Sequence, residues 1–141
     1  MTGIIVLVVV LAVTAAYGMV WRKRNGRMRA ARSPAGQAQE PALTEAEIGK
    51  PLGGRATLVQ FSSAFCSPCR ATRVILADVA SKVDGVTHVE IDAESHLDLV
   101  NRLDINRTPT VLVLGPDGRI TRRASGLPRK ADVLAALGEV G

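Results

Sequence analysis

The sequence has only two cysteines among 141 residues, Cys66 and Cys69, and two positions separate them. A fold held together by disulfides carries more cysteines, and a closed zinc site needs about four nitrogen or sulfur ligands. This scarcity argues against both kinds of architecture, and no metal site is predicted. The chemistry of the pair must therefore be something that two thiols can perform alone.

Aromatic residues are also scarce, at 3% of the chain, whereas 47% of the residues are hydrophobic. The chain lacks the basic stripe with interleaved aromatics that nucleic-acid surfaces use. Its net charge of +5 is unevenly placed, because six of the 18 basic residues lie between Arg22 and Arg32. From Glu40 onward, 12 basic residues nearly balance 13 acidic ones. A basic arm beside a near-neutral domain indicates a membrane surface and not nucleic acid.

Residues 3–21 contain no charged side chain (GIIVLVVVLAVTAAYGMVW). As a helix, these residues span roughly 28 Å, close to the thickness of the hydrocarbon core of a bilayer. Tyr17 and Trp21 lie near the end of the run, where aromatic rings favour the headgroup layer. A cleaved signal peptide has basic residues before its apolar stretch and a small-residue cleavage site after it, and this segment has neither. We therefore predict a single-pass transmembrane anchor over residues 1–21.

The basic residues flank only the C-terminal side of the apolar run. Positively charged flanks stay in the cytoplasm, which predicts a cell-membrane protein whose domain faces the cytosol, with an extracytoplasmic domain as the alternative. Residues 22–42 begin basic and then become rich in Ala, Gly, Gln and Pro, which predicts a flexible linker. The domain is expected over residues 43–141, where Thr44 and Glu47 have the spacing of a capping box.

From Ala56 onward, strand-like and helical patterns alternate. They predict strands over 56–61, 86–91, 110–114 and 119–124, and helices over 66–82, 94–103 and 129–140. The order β-α-β-α-β-β-α predicts a parallel pair, then an antiparallel hairpin, with helices on both faces. The fold class is therefore α/β, a three-layer sandwich around a small mixed sheet. Arg122 and Arg123 are expected on the exposed face of an edge strand.

The two cysteines stand where a buried-type strand meets a helix. The first turn of a helix has unpaired amide N–H groups and about half a positive charge, both of which stabilise a thiolate. Cys66 is thus expected to be the partly exposed attacking thiolate, and Cys69, one turn further in, the thiol that resolves the mixed disulfide. Pro68 suits the first helical turn because its missing N–H costs little there.

Several motifs accompany this pair in the expected order: the strand ATLVQF, then CSPC, VEID, Thr108-Pro109-Thr110, the GPDG turn and Gly126. With these residues, the region from Leu43 to Gly141 resembles the thioredoxin family. The resemblance implies a thioredoxin-like fold and a thiol–disulfide oxidoreductase, with a reductase favoured. It implies protein substrates, an electron-donor reductase or membrane redox partner, a monomer, and no cofactor beyond the redox-active disulfide Cys66–Cys69.

The resemblance also implies roles for residues near the pair. Pro109 is expected to be cis and to pack against the active-site disulfide, and Thr108 to offer backbone groups to a substrate. Phe65, Ser67 and Pro68 are expected to support the active site. Phe65 stands where the family usually has Trp, and Ser67 where Gly is common.

The family often has a buried acid six residues before the first cysteine, where this chain has Gln60. An amide cannot accept a proton at accessible pH. His88, on the neighbouring strand, is a candidate substitute, because histidine titrates near neutral pH. Gln60 and His88 are therefore candidates for a proton relay, with a half-exposed strand histidine as the plainer reading of His88.

Two other function classes remain open. The first is a membrane-bound redox sensor or adaptor of the same fold that does not turn over substrates, which the loss of the acid at Gln60 favours. The second is a carrier of a soft ion such as Cu(I) on Cys66 and Cys69. Pro68 within the pair and Pro109 beside it argue against the carrier.

Overall fold

The computed structural model describes residues 1–24, 28–30 and 41–140. Helix α1 (Thr2–Arg24) is a single run of 23 residues that includes the whole uncharged run 3–21 and ends three residues after the predicted anchor. It buries none of its residues in the protein, and by length and composition it could cross a membrane. At 1.5 Å per residue it measures roughly 35 Å, more than the hydrocarbon core requires.

A mixed sheet forms the centre of the domain, with the strand order β1-β5-β4-β2-β3, in which β1 has only two residues (Arg29–Ala30). Its four main strands are β2 (Ala56–Ser62), β3 (Val86–Asp92), β4 (Thr110–Leu114) and β5 (Ile120–Ser125). Strand β2 pairs in parallel with β3 and antiparallel with β4, and β4 pairs antiparallel with β5. The predicted parallel pair followed by an antiparallel hairpin is confirmed.

Helices cover both faces of this sheet. The remaining helices of the domain are α2 (Glu45–Ile48), α3 (Ser67–Lys82), α4 (Leu97–Arg102) and α5 (Lys130–Gly138). Alternate side chains of the strands point to opposite faces, so the core divides into two clusters. One contains Ile48, Val59, Phe61, Leu99 and Leu103 under α2 and α4. The other contains Leu58, Leu76, Val79, Val113 and Val133 under α3 and α5. The three-layer α/β sandwich is confirmed.

The connection from β3 to α4 differs from the single helix predicted over residues 94–103. A short 3₁₀ helix spans Ala93–Ser95, and His96 then leaves helical geometry with φ −133° and ψ 50°. The side chain of Asp92 accepts a hydrogen bond from the Glu94 amide, which caps this turn and separates it from α4. The apolar residues keep helical spacing across this break, so the sequence pattern alone predicts one continuous helix.

An additional two-residue strand, β1 (Arg29–Ala30), lies within the predicted flexible linker and pairs antiparallel with Arg123 and Arg122 of β5. Met28, just before it, is partly buried against the core cluster under α3 and α5. Strand β5 is therefore covered at these two positions, and the prediction that they lie on an edge strand is wrong. Residues 25–27 and 31–40 of the predicted linker lie outside the described residues.

The predicted capping box at Thr44 and Glu47 is confirmed. The Thr44 side chain accepts from the Glu47 amide at 3.3 Å, and the Glu47 carboxylate accepts from the Thr44 amide at 2.8 Å. The hydrogen bond from the Thr44 amide and the ion pair with Arg102 hold the pKa of Glu47 below its usual value. Leu43 is buried, and its amide donates to the carbonyl of Gly118 at 2.9 Å. This contact joins the start of the domain to the turn before β5.

Candidate active site

Cys66 and Cys69 lie at the junction between β2 and α3 and are joined by a disulfide with an S–S distance of 2.02 Å. Cys66 is the N-cap residue of α3, with extended backbone, so the helix begins one residue later than predicted. Cys66 is half-buried, whereas Cys69 is 1% exposed. One sulfur can therefore meet a partner molecule while the other lies behind it.

The N-cap position has a chemical consequence for Cys66. The amide N–H groups of the first helical turn have no partners within the helix, and they point toward the N-cap side chain. The Cys66 side chain makes no capping hydrogen bond to these groups, and Pro68 removes one of them. In the reduced protein, this environment favours the ionised form of a thiol at Cys66.

The residues around the pair differ in exposure. Phe65, the residue before Cys66, is 100% exposed, so its ring packs against no other part of the protein. Ser67 and Pro68 are exposed in the first turn of α3. An exposed aromatic ring is available for contact with a partner, although the substrate-binding role of these three residues stays a prediction.

The loop before β4 meets the loop before Cys66. The Thr108–Pro109 peptide bond is cis, as the resemblance implies. Pro109 is buried, and its carbonyl accepts from the Gly126 amide at 2.8 Å. The hydroxyls of Thr108 and Ser63 lie 3.2 Å apart. A hydrogen bond between Ser63 and Thr108 thus joins the two loops. This contact was not predicted from the sequence.

Gln60 is fully buried beneath the first turn of α3. Its side-chain Nε2 donates to the backbone carbonyl of Cys69 at 2.8 Å and to the Ser62 hydroxyl at 2.9 Å. The amide orientation is fixed by the carbonyl, which can only accept, so Oε1 faces His88 at 3.2 Å. His88 Nε2 must then carry the hydrogen of that bond.

The structure therefore brings Gln60 and His88 together, but their hydrogen-bond chain ends on a carbonyl oxygen and not on Cys69 Sγ. Burial lowers the pKa of His88 below its usual value, the nearby carboxylate of Glu90 opposes this shift, and the cations Lys50 and Arg73 add to it. His88 is thus neutral at pH 7. The proton-relay role of the two residues stays a prediction.

A small cleft of about 200 Å³ adjoins both cysteines on the side of β3. Its charged lining is Arg70, Arg73, Glu90 and Asp92. Arg73 donates to both carboxylate oxygens of Glu90, at 2.5 and 2.6 Å. Arg73, Glu90 and Asp92 were not predicted as site residues, although alternation along β3 places Glu90 and Asp92 on the same face as His88.

Within the described ranges 1–24, 28–30 and 41–140, there is no group of three or more His, Cys, Asp or Glu side chains that could hold a metal ion. The arrangement can instead accept and release two electrons, because a dithiol and a disulfide interconvert at Cys66 and Cys69.

Comparisons with known proteins agree on one family. The family model described as Thioredoxin matches residues 43–139. Thioredoxin from Alicyclobacillus acidocaldarius is 29% identical over 100 residues, covering 70% of this chain and 94% of that protein. Thioredoxin H5 of rice (Oryza sativa subsp. japonica) is 26% identical over 73 residues, which are 52% of this chain and 54% of that protein. The chain thus spans only about half the length of some curated relatives, including thioredoxin H5 and the putative thioredoxin H10 of Arabidopsis thaliana.

Solved structures show the same fold. A mutant thioredoxin from Halobacterium salinarum superposes with a TM-score of 0.56 at 18% identity, covering 62% of this chain and 75% of that one. Thioredoxin from Malassezia sympodialis gives a TM-score of 0.53 at 16% identity, covering 78% of this chain and 96% of that one.

Proposed function

The chain belongs to the thioredoxin family, and from this premise we propose that it exchanges disulfides with protein substrates through Cys66 and Cys69. The observation that carries the proposal is the bonded pair at the start of α3, with one sulfur half-exposed and the other buried. The fold and this pair support a thiol–disulfide oxidoreductase.

The favoured direction is reduction of the substrate. The Cys66 thiolate attacks a substrate disulfide, an S–S bond forms between Cys66 and one substrate sulfur, and the other substrate sulfur leaves as a thiolate. Cys69 then loses its proton and attacks Cys66, which releases the second substrate sulfur and forms the Cys66–Cys69 disulfide. An electron-donor reductase returns the pair to the dithiol, and the protein acts as a monomer.

Insulin reduction with dithiothreitol as electron source tests the exchange. We expect the parent chain to accelerate precipitation of the reduced insulin B chain and Cys66→Ser to abolish the acceleration. Cys69→Ser is the matched variant, because it keeps the attacking thiol and removes the resolving one. Pre-reduced and then freed of dithiothreitol, it should accumulate a covalent mixed disulfide with insulin, which added dithiothreitol releases. Equal rates for the parent and Cys66→Ser would refute the proposal.

We further propose that α1 anchors the protein in the cell membrane, with the domain on the cytosolic side. The support is an apolar helix of sufficient length, followed by Arg22, Lys23 and Arg24 in its last turn. An alkaline phosphatase fused after Gly141 is expected to be inactive. An active fusion would indicate an extracytoplasmic domain, which would need electrons handed across the membrane.

A redox sensor or adaptor is the second candidate, and the observation that favours it is the buried amide at Gln60. With no carboxylate there, proton removal from Cys69 has less assistance, and a mixed disulfide with a partner would last longer. The lifetime of that species, measured by acid quenching of a single turnover, separates the two. A lifetime of minutes in the parent chain would favour the sensor, and one below a second the reductase.

A further inference from the structure

The segment that follows α1 is part of the folded domain. Arg29 and Ala30 are antiparallel register partners of Arg123 and Arg122 in β5. Met28 is partly buried against the core cluster under α3 and α5. Backbone pairing and an apolar contact therefore fasten residues 28–30 to the domain, at a point where the sequence predicts a free linker.

The basic end of α1 lies beside the same part of the domain. Arg24 and Met28 line a cleft of about 570 Å³, together with Arg122, Asp132 and Glu139 of the domain. Arg122 forms an ion pair with Glu139. The lining of this cleft thus brings the last turn of α1 beside β5 and α5.

The pairing limits how far the domain can move from the anchor. Only residues 25–27 separate Arg24 from Met28, and an extended chain covers at most about 3.6 Å per residue, which gives a limit of about 14 Å. A linker that ran freely from Arg24 to Leu43 would reach about 68 Å. Strand β1 thus shortens the tether roughly fivefold by these same limits.

The position of Cys66 relative to β1 follows from the sheet. Three strand spacings separate β1 from β2, through β5 and β4. Across the strands, these spacings amount to about 14 Å. Along the strand direction, the seven residues from Val59 to Cys66 add at most about 24 Å. Cys66 therefore lies less than about 30 Å from β1, and less than roughly 45 Å from the end of α1.

We propose that the substrates of Cys66 are disulfides of membrane-bound proteins that lie close to the bilayer surface. This deepens, and rests on, the disulfide exchange and the membrane anchoring proposed above, and the bond changes are the same. A substrate disulfide in the same membrane that lies within the reach of Cys66 meets it at a high effective concentration. Beyond that reach, the tether holds Cys66 away from the substrate.

The test uses the full-length, pre-reduced protein in lipid vesicles in single turnover, with two lipid-anchored helical peptides as probes. One carries its disulfide at a height of about 20 Å and the other at about 60 Å, inside and outside the derived reach. One variant has twelve Gly and Ser residues inserted between Gly26 and Arg27. Its matched control has the same insertion between Gln37 and Ala38. Both lengthen the chain before Leu43 equally, but only the first insertion lies between α1 and β1.

We expect the parent and the control to reduce the near probe at least about tenfold faster than the far probe. The Gly26 insertion should raise the rate on the far probe by about tenfold and leave a small soluble disulfide reacting at the parent rate. Equal effects of the two insertions, or equal parental rates on the two probes, would overturn the proposal. Failure to reduce the soluble disulfide, or loss of the protein from the vesicles, would instead refute the proposed exchange or anchoring.

Discussion

The Gln60 side chain makes two contacts near the active site. Its Nε2 donates to the backbone carbonyl of Cys69, and its Oε1 contacts the ring of His88. A buried amide with three partners can neither take up nor release a proton, so it stabilises the turn equally at every accessible pH. Its contribution is therefore to the geometry of Cys69 and to the stability of the fold.

Replacement of Gln60 by Leu is expected to lower the free energy of unfolding by about 1–3 kcal/mol, because the buried Ser62 hydroxyl and the half-buried His88 ring nitrogen both lose their partner in Gln60. The matched control is Thr72→Val. Thr72 is also buried, and its hydroxyl donates to the Pro68 carbonyl at 2.8 Å. Since that carbonyl also faces a helical amide, the control should cost less than about 1 kcal/mol. Urea unfolding measures both, and equal costs would contradict the role assigned to Gln60.

His88 is expected to make the protein less stable in acid. Burial keeps the pKa of His88 in the folded protein below its value in the unfolded chain. As the pH falls below about 6.5, the unfolded chain binds the proton first, so the stability contribution present above that pH is lost. Thermal unfolding between pH 7.5 and 5 should show a smaller decrease in Tm for His88→Gln than for the parent.

The variant His96→Gln serves as the control for this measurement, because it removes the only other histidine. A decrease in Tm for His88→Gln as large as that of the parent would exclude His88 as the source of the acid sensitivity.

Much of the site could be predicted from individual residues. The spacing of Cys66 and Cys69 and their place between a strand and a helix are local properties of the sequence. The contacts of Ser63 with Thr108 and of Arg73 with Glu90 are not, since they join residues 45 and 17 positions apart. Only the packing of loops and of α3 on β3 decides which of these polar side chains meet.

Among the elements, long periodic segments were predicted well and short ones were missed. The core strands are apolar and rich in β-branched residues, and β4 has the bounds predicted for it. Strand β1 has two residues and no pattern of its own, so only its partner strand reveals it. The turn at Ala93–Ser95 depends on a side-chain cap from Asp92, which competes with a continuous helix.

The turn before β5 depends on glycine at position 118. Gly118 has φ +82°, and a Cβ atom there would meet the Leu43 carbonyl oxygen at 2.3 Å. Gly118→Ala should therefore cost more than about 2 kcal/mol, from the left-handed backbone and the displaced start of the domain. Gly54→Ala is the control, because a Cβ at Gly54 meets nothing within 4 Å. Thermal unfolding measures both variants, and the Gly54→Ala change in the free energy of unfolding should stay within about 0.5 kcal/mol. A similar loss of stability in both variants would contradict this account.

For the whole molecule, the division into an apolar helix and a near-neutral α/β domain follows from composition alone. The attachment between them does not, because it depends on one edge of a sheet that forms from distant segments. In the sequence, the basic segment precedes the domain. In the structure, Arg29 and Ala30 of that segment pair with β5.

The single tryptophan reports on α1. Trp21 lies in the last turns of α1 and is 55% exposed, far in sequence from the disulfide at Cys66 and Cys69. Transfer of the protein from detergent-free buffer to lipid vesicles should shift its emission to shorter wavelength, because the indole enters the headgroup layer. Reduction of the disulfide should leave the spectrum unchanged. An unshifted spectrum with vesicles would contradict membrane anchoring.

The pairing of β1 with β5 also sets an order of events during synthesis. The two partners are about 90 residues apart in the chain, so the pairing closes a very long loop and must wait for almost the entire sequence. The apolar helix leaves the ribosome long before β5 exists. The pairing that joins α1 closely to the domain can therefore close only after β5 has been synthesised.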